Sequence, residues 1–582
     1  MRAQWRNSSR EDGGSKRSTV TAVPLKLLGR GTVNESIVLP AAAEEKAPKW
    51  GRTWPGQLFS AMAFVALVSY CVIGALKVNY ESVKLLGSPI DTSLPEGANV
   101  YSALRAGATG QLYLSYHQRP YVEQAFGPLF YAMTAGIARA SHLDVDLTAR
   151  RIRLLMYGCY LGSALLVFLI CRKLGASAGL AAIAGVMMMA QPNFLGWNVT
   201  ARPDLLALFL MLGSLYFALH MQEHRWLFVV LAGLLAGLAF LMKQPGAAVG
   251  IAIGLVLMWR QEFRRLALLS VAAVVPIVLM FSVLVVRKEP FWEQFTSIGN
   301  AYWSLKEGLH FLGLLLLDPV YLVPAGIGVA GLLGCWKMGK SWHFAAAFLV
   351  ITVLTGLAGL PQIGGNTNYL LPALTGCCVV VPAAARFFQD TSKFQVAAIV
   401  LAPAMVYAAW SGMQSQDAYA QTTGGVRSGI SFAPLRSVKM LTDVPMLSLR
   451  GRDPEFLDGF STHSLELTGH WTSAPVVEEI RQRQFDVVLL RSITPRVVFR
   501  PKPAGYREVA SWRGISEFSP EVIAALNENY NVYCSTTTAV VLKPVDRMPN
   551  IPPDYFTPIF GVPCKTGAEN YPARLVVAEN SR

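Results

Sequence analysis

The strongest constraint on this chain is a recurrence of charge-poor apolar windows, each about as long as the roughly 20 residues that cross bilayer hydrocarbon. They lie near residues 58–76, 154–171, 174–191, 205–221, 226–242 and 244–259, and again near 266–286, 318–336, 342–360, 370–388 and 394–412. With 53% hydrophobic and 15% charged residues over 582 positions, too little polar surface remains to clothe a soluble globule. The pattern predicts an all-α polytopic membrane protein of about eleven transmembrane helices.

The first window follows a long polar stretch and lacks the small-residue cleavage site of a secretory signal, so it reads as a retained helix. Residues 1–53 carry Arg2, Arg6, Arg10, Lys16 and Arg17 without apolar periodicity and read as a disordered tail. Lys and Arg in short loops set orientation. With a cytoplasmic N-terminus, the tail and the inner loops at 172–173, 223–225, 260–265, 337–340 and 386–393 hold 20 basic and 8 acidic groups, +12 of the formal +15. The basic balance therefore reports topology and attraction to an anionic inner leaflet. No soluble module interleaves basic and aromatic residues, which argues against a nucleic-acid partner.

That topology puts five unusual segments on the outer side: 95–131, 193–204, 243–245, 287–310 and 364–369. Each interrupts apolar sequence with polar or charged groups, which are tolerated at membrane depth only when they line a cavity or find partners. A shared outer cavity explains all five together. Taken singly, each has a structural reading: Arg202 and Asp204 pair at a helix end, Lys243 snorkels, and 364–369 is a turn.

Residues 413–582 change character, with evenly spread charges, strand-like runs at 486–490 and 537–542, and helical periodicity at 474–483 and 520–530. They read as a small α/β domain outside the cytoplasm. The expected organisation is a tail at 1–53, a membrane domain at 54–412 whose first outer loop spans 77–153, and the domain at 413–582. Cys534 and Cys564 are the only cysteines of that last region, and an oxidising compartment permits a disulfide between them. The other six cysteines lie in or beside apolar windows, without metal-ligand spacing.

A carboxylate, arginines and tyrosines facing the outer membrane surface suit transfer between a membrane-embedded donor and a water-side acceptor. A carboxylate can take the proton of an attacking hydroxyl while cations stabilise a departing phosphate. The residues also resemble the GT-C superfamily of polytopic glycosyltransferases, in particular bacterial relatives of protein O-mannosyltransferases and aminoarabinose transferases. The matching steps are Glu96-Gly97, Gly110 to Tyr113, Gly127 to Tyr131, Ala201 to Leu205, Lys243-Gln244, and Asn366 with Asn368-Tyr369.

The resemblance implies a polyprenyl-phosphate-linked sugar donor, an unidentified acceptor outside the cytoplasm, and a place among the lipids of the bacterial inner membrane. Relatives often have Asp-Glu where Pro95-Glu96 stands, which leaves Glu96 as the matching base and Asp91 as its substitute, with Glu123 a rival. The Glu-Lys that some relatives carry before the Gly-Pro step is Ala125-Phe126 here, so Arg105, Arg119, Arg202 and Lys243 become the phosphate-binding candidates. Asp204, Gln244, Asn366, Asn368, Tyr369 and Tyr131 are the remaining substrate-binding candidates. For Glu96 the alternative is a helix-start acid, and for Asp204 a structural partner of Arg202 or a ligand of a divalent cation. Two separated acids do not make a metal site, so no cofactor follows from the sequence. A transporter would instead need ionisable groups near the bilayer midplane, for which Asp318-Pro319 is the candidate, and a non-catalytic envelope scaffold would need no lipid-accessible cavity.

Overall fold

The computed structural model describes residues 54–92, 96–221, 226–300, 302–362, 367–389, 430–452, 455–456, 459–491, 506–508, 511–512, 515–516, 518–536, 539–560, 563–566 and 574–576. The tail at 1–53 and the last apolar window, 394–412, lie outside them. All described residues belong to one compact unit, Thr53–Arg582.

Helices dominate up to Gln389. They are α1 (Trp54–Leu86), α2 (Glu96–Thr109), α3 (Pro128–Ala140), α4 (Val145–Lys173), α5 (Ala178–Ala190), α6 (Asp204–Leu219), α7 (Leu227–Met242) and α8 (Ala247–Trp259). Then come α9 (Phe263–Val286), α10 (Phe291–Asn300), α11 (Leu305–Leu317), α12 (Pro319–Cys335), α13 (Trp342–Gly359), α14 (Leu371–Val379) and α15 (Val381–Gln389). Short polar residues start several of them by accepting from the first free backbone N–H groups: Asp144 from Leu147, Ser177 from Leu180 and Asp318 from Val320.

Among the described residues, α4, α9 and α13 are long and apolar enough to cross a membrane, and the bent pairs α11–α12 and α14–α15 raise that to five. Helices α5 to α8 are apolar but have 13 to 16 residues. At 1.5 Å per residue they reach only about 20–24 Å, short of a roughly 30 Å hydrocarbon slab. Apolar windows therefore mark helices well and full crossings less well. The polar break Lys243-Gln244-Pro245 ends α7 at Met242, where the window 226–242 ends too.

Past residue 430 the chain builds a five-stranded sheet ordered β2 (Glu455–Phe456), β1 (Met440–Thr442), β3 (Val487–Arg491), β8 (Ala539–Pro544), β7 (Tyr530–Ser535). Its first three strands are parallel, and β8 joins β3 and β7 antiparallel. Strands β4 (Tyr506–Glu508) with β9 (Arg574–Val576), and β5 (Ser511–Trp512) with β6 (Ile515–Ser516), form two small pairs. Helices Ala474–Arg481 and Pro520–Asn529 lie where helical periodicity was expected. Cys534 on β7 is disulfide-bonded to Cys564.

The sheet does not stand apart from the membrane domain. Tyr116 and Tyr121 of the first loop are buried with Trp471, Phe485, Val488 and Leu542 in one apolar cluster. Ile90 joins Val438, Met440 and Phe556 in a second cluster on β1, β3 and β8. Helix α1 runs on to Leu86 and α4 begins at Val145, with α2 and α3 in the stretch between them.

Candidate functional site

The site is built where four chain breaks meet. Pro203 precedes α6 and places Asp204 on its first turn, while α7 ends at Met242 and hands the chain to Lys243 in extended geometry. A short 3-10 turn, Thr367–Leu370, carries Asn368 and Tyr369. The fourth contributor is the end of the first loop, which docks on α7 through Gly127 N–H donating to the Met242 carbonyl at 3.0 Å. A Cβ at Gly127 would lie 2.0 Å from the Leu241 carbonyl oxygen, so only glycine lets α3 start against that helix end.

At the centre, Asp204 Oδ1 accepts from Lys243 Nζ at 2.5 Å and from Asn368 Nδ2 at 2.9 Å, and Oδ2 accepts from Arg202 Nε at 3.2 Å. The three charged residues are largely buried and carry two positive charges against one negative. Lys243 Nζ stands 4.6 Å from the Tyr369 ring centre, and the Arg202 guanidinium lies 4.8 Å from Trp197 and 5.3 Å from Phe126. Aromatic faces thus flank both cations on the sides Asp204 leaves open. Gln244 donates to the Ala125 carbonyl at 3.1 Å, a second tie to the first loop. Asn368 Oδ1 and Gln244 Oε1 are buried without a hydrogen-bond partner. Glu123, half-buried two residues before Ala125, acts electrostatically on Tyr369. Among the described residues its carboxylate has no hydrogen-bond or ion-pair partner.

The other acids and cations of the expected site lie apart from this centre, with partners of their own. Glu96 is fully buried and paired with Arg153, whose Nε and Nη2 each reach a carboxylate oxygen at 2.8 Å. It also accepts from Thr92 N, Thr92 Oγ1 and Ala201 N at 2.6, 2.9 and 2.9 Å. Burial alone would raise this carboxyl; the Arg153 charge and the donors around it prevail and hold it below its ordinary value. Asp91 is likewise filled, by Gly97 N at 2.5 Å and Met446 N at 3.0 Å, tying the start of α2 to the helix Pro445–Ser448.

Arg105 donates to Gln111 Oε1 and the Leu112 carbonyl, closing the loop on itself. Arg119 pairs with Glu479 of the C-terminal region, and Tyr131 is core, edge-on to Tyr113 and Phe130. Asn366 lies outside the described residues. Asp318 caps α12, accepting from Val320 N at 2.9 Å, and stands at the bend between α11 and α12. Among the described residues no three His, Cys, Asp or Glu side chains converge as metal ligands would.

Two supports escaped sequence reasoning. Arg153 lies one residue before an apolar window and passes for a loop cation, yet it is buried and also donates to the carbonyls of Ser88 and Ile90. An arginine flanked by apolar residues in Ile152-Arg153-Leu154-Leu155 was the available signal. Ahead of and on α10, Glu289 accepts from Tyr113 N at 2.8 Å, Glu293 from Ser115 Oγ and Tyr116 N, and Gln294 from Gln124 N. These three side chains peg the first loop in place. The interval 287–310 was expected on the outer side, but nothing in its composition says which loop it grips.

Comparison with known proteins agrees with this architecture. Residues 132–287 match the family described as dolichyl-phosphate-mannose-protein mannosyltransferase, a segment containing Arg202, Asp204 and Lys243. The chain shares its fold with ArnT from Cupriavidus metallidurans in the apo state, at TM-score 0.51 and 15% identity, covering 84% of this chain and 97% of that one. The same ArnT bound to undecaprenyl phosphate matches at TM-score 0.51 and 15% identity, covering 85% and 99%. No curated protein matches the sequence. The resemblance to GT-C membrane glycosyltransferases carried by the outer motifs is thereby borne out.

Proposed function

We propose that this chain is a membrane glycosyltransferase that moves a sugar from a polyprenyl-phosphate carrier to an acceptor outside the cytoplasm. Its N-terminus is cytoplasmic and its sheet-bearing C-terminal region lies on the acceptor side. One observation carries the reading: Asp204 gathers Arg202, Lys243 and Asn368 into a centre with one net positive charge, under the end of the first loop. The family match spans all three charged members, and a protein of the same fold holds undecaprenyl phosphate, an anion of the class this centre suits.

The chemistry follows from the charges. The acceptor hydroxyl oxygen bonds to the anomeric carbon as the bond from that carbon to the phosphate oxygen breaks. The phosphate leaves with the electron pair, gaining a negative charge that Arg202 and Lys243 stabilise more strongly in the transition state than in the ground state. Asp204 keeps the two cations in register. Asn368 and Gln244 offer unpartnered amide oxygens to sugar hydroxyls, and Tyr369 backs the Lys243 ammonium.

The proton goes to Glu123 in this reading. Glu96, the base expected from the sequence, has both oxygens occupied by five donors, and Asp91 has both occupied by backbone N–H groups. A base needs a free lone pair within hydrogen-bond reach of the acceptor. Glu123 is the loop carboxylate that retains one.

The test is reconstitution in proteoliposomes with a panel of labelled polyprenyl-phosphate sugars, comparing wild type with Lys243→Gln, Arg202→Gln and Glu123→Gln. Each variant is expected to lose about 10²-fold or more in turnover while still folding. Turnover unchanged in Lys243→Gln and Arg202→Gln overturns the assignment of the centre. Absence of turnover with every donor, in a protein shown to be folded, favours a scaffold.

A further inference from the structure

Two helices that reach the Asp204 centre, α8 and α13, run from it to a second feature at their far ends, where the end of α12 joins them. Helix α8 starts just after Lys243, α13 ends against Tyr369 through Gly356 and Gly359, and α12 begins beside Tyr321, which donates to Asn193. At the other ends of these same helices, a groove of about 330 Å³ opens, lined by Leu255, Trp259, Leu332, Trp336, His343 and Ala347 among others. With α8 only 13 residues long, the groove is about 20 Å from the centre along that axis.

The groove is apolar, and its rim is cationic. Trp259 and Trp336 are 62% and 75% exposed at its edge, as indoles at a membrane interface are. Arg260 follows Trp259, donates to the Lys340 carbonyl and lies 4.6 Å over the Phe344 ring, with its Nε left without a hydrogen-bond partner. Arg260 and Lys340 both act electrostatically on His343, which lines the groove and stacks 4.7 Å from Trp259. Lys337 and Lys340 are exposed on the turn between α12 and α13. The acid of the adjoining turn, Glu262, is already paired with Arg265.

We infer that this groove binds an anionic phospholipid, one acyl chain lying between α8, α12 and α13 and the phosphate resting on Arg260, Lys337 and Lys340. Charge complementarity selects the occupant. A zwitterionic lipid fills the groove equally well but brings its own cation to a rim that already has three. Basic groups near an anionic headgroup favour it, so the exposed Lys337 and Lys340 are expected to give a preference of several fold. The site is separate from the proposed transfer centre and its lipid is not a substrate there.

Native mass spectrometry of the purified full chain tests this, using an equimolar mixture of phosphatidylglycerol and phosphatidylcholine with identical acyl chains. Wild type is expected to retain phosphatidylglycerol several-fold over phosphatidylcholine. Lys337→Gln with Lys340→Gln abolishes the preference, while Lys288→Gln with Lys306→Gln, exposed lysines at the opposite membrane face, leaves it intact. Ala347→Phe, which fills the groove, lowers retention of both lipids. Size-exclusion profiles of all variants are expected to match wild type. Equal retention of the two lipids by wild type overturns the inference, as does a preference surviving in the 337/340 variant or lost in the 288/306 variant. Undiminished retention in Ala347→Phe overturns the groove as the binding place.

Discussion

Glu96 and Glu123 lie 27 positions apart in one loop and have opposite fates, which only their surroundings decide. Glu96 sits at a helix start, where an acid is ordinary, and its partner Arg153 arrives from α4. Replacing it with Gln removes the carboxylate charge that balances the buried Arg153, an expected loss of about 3–5 kcal/mol read in a thermal melt. Because the folded Glu96 carboxyl is held below its ordinary value, its contribution is whole at neutral pH and above the unfolded value. It is lost as pH falls through the folded value, so the stability gap between wild type and Glu96→Gln is expected to narrow in acid. Glu123→Gln should show the reverse signature, with little change in melting and a large loss of turnover. Sequence separated these two poorly, because the matching motif falls on Glu96 while the burial that disqualifies it comes from residues 57 and 105 positions away.

At the scale of elements, the first loop is held from outside itself. The peg formed by Glu289, Glu293 and Gln294 meets backbone groups from Tyr113 to Gln124, and Gly127 seats the loop's end on α7. Gln294→Ala is expected to cost about 1–3 kcal/mol by leaving loop groups unsatisfied, and to raise proteolytic cleavage within 111–124. Gly127→Ala should be worse for activity than for folding, since the steric clash moves α3 away from the Lys243 step. The helices themselves were legible, because apolar runs, Pro steps and Ser or Asp caps are local signals. Helix length was less legible, since apolar helices of 13 to 16 residues fill a hydropathy window as longer ones do. The convergence of Asp204, Lys243 and Asn368 was expected only as common sidedness; the contacts join residues 39 and 164 positions apart.

Across the whole molecule, the C-terminal sheet and the first loop share an apolar core, so neither is complete without the other. The Cys534–Cys564 bond closes a separation of 30 residues in that sheet region. Replacing both with Ser is expected to destabilise the C-terminal region by about 3–4 kcal/mol on the chain-entropy account. In the denatured protein, purified with free thiols blocked beforehand, maleimide is expected to label these two positions only after reduction, whereas their blocking before reduction would mean that the bond is absent.

The anchoring of Asp91 on Met446, 355 residues later, also carries a consequence for how the protein is made. At roughly 5–20 residues per second, the first loop leaves the ribosome about 20–70 s before the strand and helix that complete its core exist. During that interval Ile90, Tyr116 and Tyr121 have no apolar cover from the sheet that finally buries them. Early translation therefore delivers an unfinished lip, and the first loop gains its full cover only near the end of synthesis, when the last strands clasp a segment made long before.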